Sequence, residues 1–492
     1  MITVVGMDGS PLSPQAEAAL RSATLVVGGR RHLAALPAFA AARSGPGAGD
    51  AAAVGPSAAG VRTVVLGELP PALDALACHE GDAVVLASGD PGFFGIVRAL
   101  RDRGLAVVVL PAVSSVALAF ARAGLPWDDA VVVSAHGRDL RPAVNVCRAR
   151  PKVAVLTGPG AGPAEIAAGL AGWDRRLVVC ERLGSGAEQI TECSPASAAT
   201  RTWTDPNVVL VLAAPEPDFV IMGLGSSQRP QSHDHEAGAS RSAATGEADV
   251  PGVAGVSGEV SRTGRVGWVW PRQAVPAAVG EAVPVAVGEA VPATADEGGG
   301  PPTMGAGWAL GEEQFDSRDA VITKSEVRAL ALARLAPAPG TLVWDVGAGS
   351  GSVGVECARF GAAVIAVERD ARRCDRIRAN AQRHTVDVRT VQGEAPRILD
   401  GLPSPDAVFV GGGGQPVIEA VAGRHPARIV VALAAIERAG AALATLTAAG
   451  YAAEGALLHA ARFAPLPGDV HRLAATNPVF LVWAMASHGA PS

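Results

Sequence analysis

Cysteine is scarce in this chain, and its few cysteines are not spaced as metal ligands or as a disulfide framework. Six are present among 492 residues, with no CxxC pair and no neighbouring histidine at zinc-ligand spacing. We therefore predict no metal site and no structural disulfide.

Long apolar runs are also lacking, although 49% of the residues are hydrophobic. No uninterrupted run reaches the roughly 20 apolar residues that a membrane-spanning helix needs. The first residues, MITVVGMDGS, lead directly into an apolar run without the basic start and cleavage site of a signal peptide. We expect a soluble protein that acts in the cytoplasm and has no membrane partner.

Positive charge is limited as well. The net charge is −6, and Lys152 and Lys324 are the only lysines, so that nearly all basic residues are arginine. A nucleic-acid partner that is bound through bulk positive charge is therefore not expected. An anionic substrate would have to be bound by local arginines.

The order of apolar and polar segments predicts two α/β regions. Short Val/Leu-rich runs alternate with Ala-rich helical stretches over residues 1–224, as in a parallel α/β domain, and a second alternating region covers 308–492. Residues 225–307 are rich in Gly, Ser, Pro and acidic residues, without sustained periodicity, which predicts a long disordered linker. For the second region we predict a doubly wound sheet whose strands include Ala363–Glu368, Ala407–Val410, Arg428–Ala432 and Pro478–Trp483, with helices between the strands.

The strongest local motif is LVWDVGAGSGSVGVE, in which Asp345 ends a strand and Gly347, Gly349 and Gly351 follow it. Glycines at this point let a cofactor approach the backbone closely. The stretch also contains the dinucleotide spacing GxGxxG, which leaves a hydride-transfer enzyme as an alternative. The charge of Asp345 favours a cationic cofactor, because a carboxylate directly before the glycines would repel a pyrophosphate and attract a sulfonium with an ammonium group.

The DVGxGxG arrangement resembles motif I of the class I S-adenosylmethionine (SAM) methyltransferases. This resemblance implies a Rossmann-like fold and a SAM site that includes Glu368, for the ribose hydroxyls, and Glu394 and Ala395, for the adenine. Upstream, ITKSEVR is similar to a segment of the corrin C15 methyltransferases, which would place Thr323 against the cofactor. The same residues predict a helix N-terminus, with Thr323 as N-cap and Glu326 in capping-box position. The remaining motif residues of this predicted SAM site are Asp345, Gly347, Ala348, Gly349, Ser350 and Gly351.

Four segments of the first region resemble the tetrapyrrole methylases in order and spacing: ITVVGMDGSPLS, VVLASGDPGFFGI, PAVSSVALAFARAGLPW and VLTGPGAGPAEIA. This resemblance implies a fold of two small α/β subdomains with SAM in the cleft between them. The first loop departs from the GxGPG that the family usually has, because Asp8 stands within Gly6-Met-Asp-Gly-Ser10. The residues that the resemblance places at this cofactor are Gly6, Gly89, Asp90, Pro91, Ser114, Ser115, Thr157 and Gly158.

Two SAM-binding regions in this order resemble the fused, decarboxylating precorrin C5,15-methyltransferases of cobalamin biosynthesis. The resemblance implies one SAM in each region, a precorrin tetrapyrrole as substrate, two ring methylations and one decarboxylation, with a homo-oligomer formed through the second region. The resemblance identifies no catalytic residue, and the candidates are His136, Arg318, Arg328 and Arg472. Alternatives are a fused methyltransferase acting on another tetrapyrrole or on RNA, a dinucleotide-dependent enzyme, and a sensor that binds SAM without catalysis.

Overall fold

The structure is a computed structural model that describes residues 1–36, 61–67, 69–213, 307–317 and 322–486. We call residues 1–213 the amino-terminal half and residues 307–486 the carboxy-terminal half. The described residues of both halves belong to one compact unit. Most of the predicted linker lies outside the described residues. None of the helices in the described part is long and apolar enough to cross a membrane.

The amino-terminal half begins with a five-stranded sheet in the order β3-β2-β4-β1-β5. All its neighbouring strands are parallel, which places the ends of β1, β4 and β5 at one edge. Its strands are β1 Ile2–Met7, β2 Leu25–Gly28, β3 Arg62–Val65, β4 Ala83–Ser88 and β5 Val107–Leu110, and its helices are α1 Pro14–Ser22, α2 Arg30–Ala34, α3 Leu69–Ala77 and α4 Ile96–Asp102.

The second sheet of this half has the order β6-β7-β10-β8-β9. We predicted a parallel arrangement, but β10 is antiparallel to both β7 and β8, and β9 is antiparallel to β8. Its strands are β6 Val131–Ser134, β7 Lys152–Leu156, β8 Arg175–Glu181, β9 Gln189–Cys193 and β10 Asn207–Ala213, and its helices are α5 Ser115–Ala123, α6 Leu140–Ala149, α7 Pro163–Gly169 and α8 Pro195–Ala199.

The carboxy-terminal half is built on a seven-stranded sheet in the order β13-β12-β11-β14-β15-β19-β16. The first five strands in this order are parallel, and β19 is antiparallel to both β15 and β16. The strands are β11 Leu342–Val346, β12 Ala363–Glu368, β13 Arg389–Gln392, β14 Ala407–Val410, β15 Arg428–Leu433, β16 Tyr451–Leu458 and β19 Val479–Ala486, and the helices are α9 Ser325–Leu335, α10 Ser352–Arg359, α11 Ala371–Arg383, α12 Gln415–Ala422 and α13 Ile436–Ala448.

A separate hairpin is formed by β17 Ala461–Leu466 and β18 Val470–Ala475. The stretch between β15 and β19 is therefore only partly helical, since three strands follow α13. The predicted α/β class is confirmed for both halves.

Candidate functional site

The carboxyl ends of β1, β4 and β5 meet closely enough that only glycine fits between them. A Cβ on Gly6 would clash with the carbonyl oxygen of Gly89 and lie 2.5 Å from the amide nitrogen of Ala112. Gly89 has a positive φ of 56°, and a Cβ there would be 3.1 Å from the Cα of Ser114. The structure thus brings the predicted residues Gly6, Gly89 and Ser114 together at one edge of the sheet.

The other predicted residues of this edge have local structural contacts. The Asp90 carboxylate accepts a hydrogen bond from the amide of Gly92 at 2.8 Å. Pro91 follows it and is buried. The Ser114 hydroxyl caps α5 by accepting from the amide of Ala117 at 3.1 Å, and Ser115 is the first residue of that helix.

A cavity of about 410 Å³ opens beside this edge. Its lining includes Gly6, Asp8, Leu110 and Val113. This volume lies within the range of about 300–1,000 Å³ that is typical of small-molecule sites.

The unusual Asp8 holds the cavity loop in place. Its Oδ1 accepts from the amide and hydroxyl of Ser10, and its Oδ2 accepts from the amide of Val113 at 3.2 Å. The hydrogen bond from the Ser10 hydroxyl, with those from the two amides, lowers the pKa of Asp8. Asp8 is therefore ionised at neutral pH and links the loop after β1 to the loop after β5.

Thr157, Gly158 and His136 meet at the carboxyl ends of β6 and β7 in the second sheet. A Cβ on Gly158 would be 2.7 Å from Nδ1 of His136, and that nitrogen lies 3.2 Å from the carbonyl oxygen of Thr157. The Thr157 hydroxyl donates to the carbonyl oxygen of Asn207 at 2.6 Å. His136 is exposed, so its ring is accessible to a ligand.

The two sheets of the amino-terminal half contact each other at these same edges. The loop after β1 is so close to the loop after β8 that a Cβ on Gly184 would clash with the carbonyl oxygen of Asp8. The Arg138 guanidinium lies 6.0 Å from the ring centroid of Phe94, which follows the Gly89 turn. The two groups of predicted cofactor residues therefore lie at sheet edges that meet, and we call the space between these edges the cleft.

Sequence reasoning missed a polar cluster at the edge of this cleft. Arg31 donates a short hydrogen bond to the hydroxyl of Ser88, which also lies 3.2 Å from Nε2 of His32. Burial, with the charge of Arg31, lowers the pKa of His32 to about 4, so the imidazole is neutral at pH 7. The signal was the polar sequence GRRH directly after the buried strand β2, and the exposed Arg31 can bind a carboxylate.

In the carboxy-terminal half, the predicted glycine turn follows β11 and contacts two neighbouring strand ends. The amides of Gly347 and Ala348 donate to the carbonyl oxygen of Val367 at 2.9 and 3.2 Å. A Cβ on Gly347 would be 2.8 Å from the amide nitrogen of Gly412, and one on Gly351 would be 3.0 Å from Ile377. Positive φ angles at Gly347, Gly349 and Gly351 make this turn unfavourable for other residues.

Asp345 lies beneath this turn, with only 1% of its surface exposed. Its Oδ2 accepts from the amide of Gly354 at 2.8 Å, whereas Oδ1 is buried without a hydrogen-bond partner among the described residues. Burial, together with the nearby charge of Glu368, raises the pKa of Asp345 to about 7. A cation beside Oδ1 would therefore be paired with a carboxylate that is otherwise poorly stabilised.

Glu368 ends β12 beside the glycine turn. It accepts from the amide of Gly349 at 2.9 Å through one oxygen and from the amides of Arg369 and Asp370 through the other. The amide of Gly393 donates to the carbonyl oxygen of Glu368 at 3.0 Å, which brings the predicted residues Glu394 and Ala395 to the same edge. Glu394 is exposed there and Ala395 is partly buried.

These features fit a cationic, nucleoside-containing cofactor such as SAM. Oδ1 of Asp345 and Oγ of the buried Ser350 lack partners among the described residues, so each has capacity for a ligand. The glycine turn exposes backbone without side chains, and Glu368 lies at the neighbouring strand end, where a ribose binds in sheets of this kind.

The prediction for Thr323 as a helix cap is wrong. The helix begins at Ser325, and its N-cap is Lys324, which makes no side-chain cap. Instead, the distant Glu312 accepts from the amide of Ser325 at 2.9 Å, so a tertiary contact replaces the local cap. The carbonyl oxygen of Thr323 accepts a hydrogen bond from Arg328 at 2.6 Å, and its contact with the cofactor stays a prediction.

The candidate role of Arg328 in binding a substrate carboxylate is also corrected. Arg328 is fully buried and pairs with Glu356 at 2.5 Å. Its other nitrogens donate to the carbonyl oxygens of Thr323 and Leu310, so all three bind protein groups. Arg328 therefore positions the segment that precedes α9. Arg472 is exposed on β18, and Arg318 lies outside the described residues.

A three-residue ion cluster near Thr323 was not predicted from the sequence. Arg462 of β17 binds Glu312 at 2.8 Å and Glu326 at 2.6 Å. Hydrogen bonds from Arg462 lower the pKa of Glu312 to about 2 and also lower that of Glu326. The cluster joins the hairpin to the start of α9, and no local sequence pattern pairs residues so far apart.

Comparison with known families gives a match for each half. Tetrapyrrole (corrin/porphyrin) methylases match residues 2–199, and the precorrin methyltransferase domain matches residues 313–486. A precorrin-6Y C(5,15)-methyltransferase [decarboxylating] from Sinorhizobium sp is 31% identical over 351 residues, which are 70% of this chain and 65% of that relative. The match thus spans just under two thirds of that relative's length.

Two shorter relatives each resemble one half along nearly their whole length. A cobalt-precorrin-7 C(5)-methyltransferase from Salmonella typhimurium is 33% identical over 220 residues, 43% of this chain and 98% of the relative. A probable cobalt-precorrin-6B C(15)-methyltransferase (decarboxylating) from Pyrobaculum calidifontis is 36% identical over 185 residues, 36% of this chain and 94% of the relative. The chain therefore belongs to the precorrin methyltransferases, with a tetrapyrrole methylase region followed by a precorrin methyltransferase region.

Proposed function

We propose that this chain is a bifunctional SAM-dependent enzyme of cobalamin biosynthesis. It would methylate reduced precorrin-6 at carbons 5 and 15 and remove the carboxyl group of the acetate at carbon 12, giving precorrin-8X. One observation carries the proposal: each half is at least 33% identical to a relative over at least 94% of that relative's length, and these relatives are named as C5 and C15 methyltransferases.

The two activities divide between the two regions of the chain. We assign carbon 5 to residues 1–224, and carbon 15 with the decarboxylation to residues 308–492, with residues 225–307 as the connection. This division is supported by the order of the two family matches, at residues 2–199 and 313–486. Action in the cytoplasm remains a prediction, and neither nucleic acid nor a membrane takes part in the proposed reaction.

Methyl transfer to this substrate requires alignment more than acid–base chemistry. A meso carbon of the reduced ring is enamine-like and attacks the methyl carbon of SAM. A carbon–carbon bond forms while the carbon–sulfur bond breaks, and S-adenosylhomocysteine leaves with the electron pair. Positioning of this kind can supply about 7–11 kcal/mol of a reaction barrier. The proposal therefore needs no catalytic triad and no metal ion.

Decarboxylation uses the ring as its electron acceptor. The bond between the acetate methylene and its carboxylate breaks and carbon dioxide leaves, while the electron pair of that bond enters the cationic conjugated ring that methylation has produced. The remaining substrate carboxylates need partners, which bidentate arginines supply well. The exposed Arg472 of the carboxy-terminal half is available for this role during decarboxylation, and Arg31 at the cleft edge is available in the carbon-5 step.

One SAM is assigned to each half. In the amino-terminal half, the support is the glycine-lined edge at Gly6 and Gly89 with the adjoining cavity of about 410 Å³. In the carboxy-terminal half, it is the buried, unpartnered Oδ1 of Asp345 beneath the glycine turn.

Isothermal titration calorimetry of the full chain tests this assignment. Titration with SAM should give two sites per chain, and titration with NADH should give no heat of binding. Binding of NADH without a SAM response would instead support the dinucleotide-dependent alternative and end the present proposal.

We further propose that the chain forms a homo-oligomer through the hairpin of its carboxy-terminal half. Phe463 and Leu473 pair across the hairpin and expose 79% and 65% of their surfaces, so two large apolar side chains lie side by side in solvent. Phe463→Glu with Leu473→Glu should reduce the sedimentation coefficient of the full chain to that of a monomer. The control is Ile436→Glu, at a residue 63% exposed outside the hairpin, which should leave the oligomer intact. A monomeric wild-type chain would contradict the proposal.

A further inference from the structure

The two halves of the chain contact each other through a buried surface that neither cofactor site uses. At its centre is Asn145 of α6, which is fully buried. Its Nδ2 donates to the carbonyl oxygen of Gly340 at 3.0 Å and lies 3.4 Å from Oδ2 of Asp406, both in the carboxy-terminal half. Burial of an asparagine side chain costs folding free energy unless its polar atoms have such hydrogen-bond partners.

Two ion pairs lie beside Asn145. Arg175, with a side chain only 3% exposed, binds Asp387 at 2.5 Å, and Arg141 binds Asp406 at 2.9 Å. Arg175 also donates to the carbonyl oxygens of Cys147 and Arg148, so residues of its own half hold its guanidinium in place. The electrostatic contacts therefore have defined geometry, with the cations on the amino-terminal half and the carboxylates on the other.

An aromatic anchor completes the contact. Trp173 of the amino-terminal half is 6% exposed and belongs to the same hydrophobic cluster as Leu342 and Ala363 of the carboxy-terminal sheet. The guanidinium of Arg389 lies 6.0 Å from its ring. A buried tryptophan with surrounding charge pairs is the composition of a stable interface rather than of a chance contact. We call these contacts of Arg141, Asn145, Trp173 and Arg175 the interhalf interface.

In the carboxy-terminal half, the interhalf interface lies at the amino ends of the parallel strands. Gly340 precedes β11, Asp387 and Arg389 stand at the start of β13, and Asp406 precedes β14. The glycine turn and Glu368 follow the carboxyl ends of β11 and β12. Five residues of β11 separate the two edges, about 16 Å at the rise of an extended strand.

The amino-terminal half has the same arrangement. Arg175 begins β8, and the last residues of α6 lead into the start of β7. Thr157 and Gly158 follow the carboxyl end of β7, on the far side of that sheet. Both cofactor edges therefore lie opposite the interhalf interface.

We propose that the interhalf interface docks the two halves back to back, so that a ring methylated in one half leaves into solvent before it reaches the other. The docking depends only on the contacts above, whereas the release of the intermediate rests on the proposed function. Each half docks on the other half of the same chain.

The docking is tested on the full chain with a site-specific protease sequence inserted after Gly264. After cleavage, the two pieces of the otherwise unchanged protein should elute together in size-exclusion chromatography. Asp387→Arg places a cation against Arg175, and Asn145→Arg places bulk at the centre, and each should weaken the association of the pieces about tenfold or more. Asp400→Arg reverses a carboxylate that is 89% exposed and pairs with Arg424 of the same half, so the pieces should remain together.

Separation of the pieces without any interface substitution would overturn the docking, as would co-elution at wild-type strength in both interface variants.

Release of the intermediate is tested by mixing two full-length variants. Gly6→Ala inactivates the amino-terminal half of one, and Asp345→Asn inactivates the carboxy-terminal half of the other. The mixture should form the doubly methylated ring, because the intermediate can travel between chains. If each variant performs its own methylation but the mixture gives no doubly methylated ring, the proposed release of the intermediate into solvent is wrong. If neither variant nor wild type methylates the ring, the proposed function itself fails.

Discussion

Asp345→Asn should abolish methylation at carbon 15 and the release of carbon dioxide, and reduce the SAM sites per chain from two to one. The substitution preserves the shape of the side chain, and the side-chain oxygen of asparagine can still accept the hydrogen bond from the Gly354 amide. It removes the negative charge that would face the cofactor. A charge pair about 4 Å apart at an effective dielectric of about 20 contributes about 4 kcal/mol, or roughly three orders of magnitude. The measurement is SAM calorimetry together with carbon dioxide release.

The matched control is Asp375→Asn in the same half. Asp375 is 77% exposed and pairs only with Arg378 one helical turn away, among the contacts that the structure describes. This variant should retain both SAM sites and wild-type carbon dioxide release. Wild-type release from Asp345→Asn would show that the cofactor site has been placed wrongly.

The buried position of Asp345 also predicts how SAM binding responds to pH. Because the pKa of the unliganded carboxyl is about 7, the ionised form that pairs with a cation becomes rarer below that pH. SAM affinity of the carboxy-terminal site should fall about tenfold per pH unit below pH 7 and be constant above it. The stability of the fold should depend on pH in the opposite direction. Because the pKa of Asp345 in the folded protein lies above the unfolded value of 3.8, the free energy of unfolding decreases as pH rises from about 4 to about 7. Asp345→Asn should show neither dependence.

Gly6→Ala should abolish methylation at carbon 5 and remove the other SAM site. The added methyl group would overlap the Gly89 carbonyl oxygen and crowd the Ala112 amide, so the strand ends that form the cleft must separate. Overpacking of this kind costs about 1–3 kcal/mol of stability, which a folded protein can survive while its site is distorted. Product analysis and SAM calorimetry measure the effect.

Gly67→Ala is the control for this substitution, because Gly67 follows β3 of the same sheet and a Cβ there meets nothing within 4 Å. It should bind two SAM molecules and give the wild-type product. Full carbon-5 methylation by Gly6→Ala would mean that the cofactor does not use this edge of the sheet.

The sequence predicted those parts of the protein that depend on local patterns. Continuous apolar runs identified β12 and β14 with their observed bounds, because buried parallel strands need apolar residues on both faces. The glycine turn after β11 was predicted because its positive φ angles favour glycine. These features need no knowledge of distant residues.

Features that depend on contacts across the chain could not be predicted. Glu312 replaces a local cap at Ser325, and Glu356 neutralises Arg328, through contacts 13 and 28 residues apart in sequence. The strand β16 was missed because its alternation is weak, and it is placed by pairing with β19. The interhalf interface requires α6 and the second sheet of one half to meet the sheet of the other, so no periodicity of either half reveals it.

The central claim is that two independent SAM sites on one chain alkylate the same ring. Incubation of the wild-type chain with reduced precorrin-6 and isotopically labelled SAM, followed by mass spectrometry of the product, tests this claim directly. The account predicts a ring that has gained two labelled methyl groups and lost one carboxyl group. A product with no labelled methyl group on a ring carbon, or with the carboxyl group retained after both methylations, would contradict it.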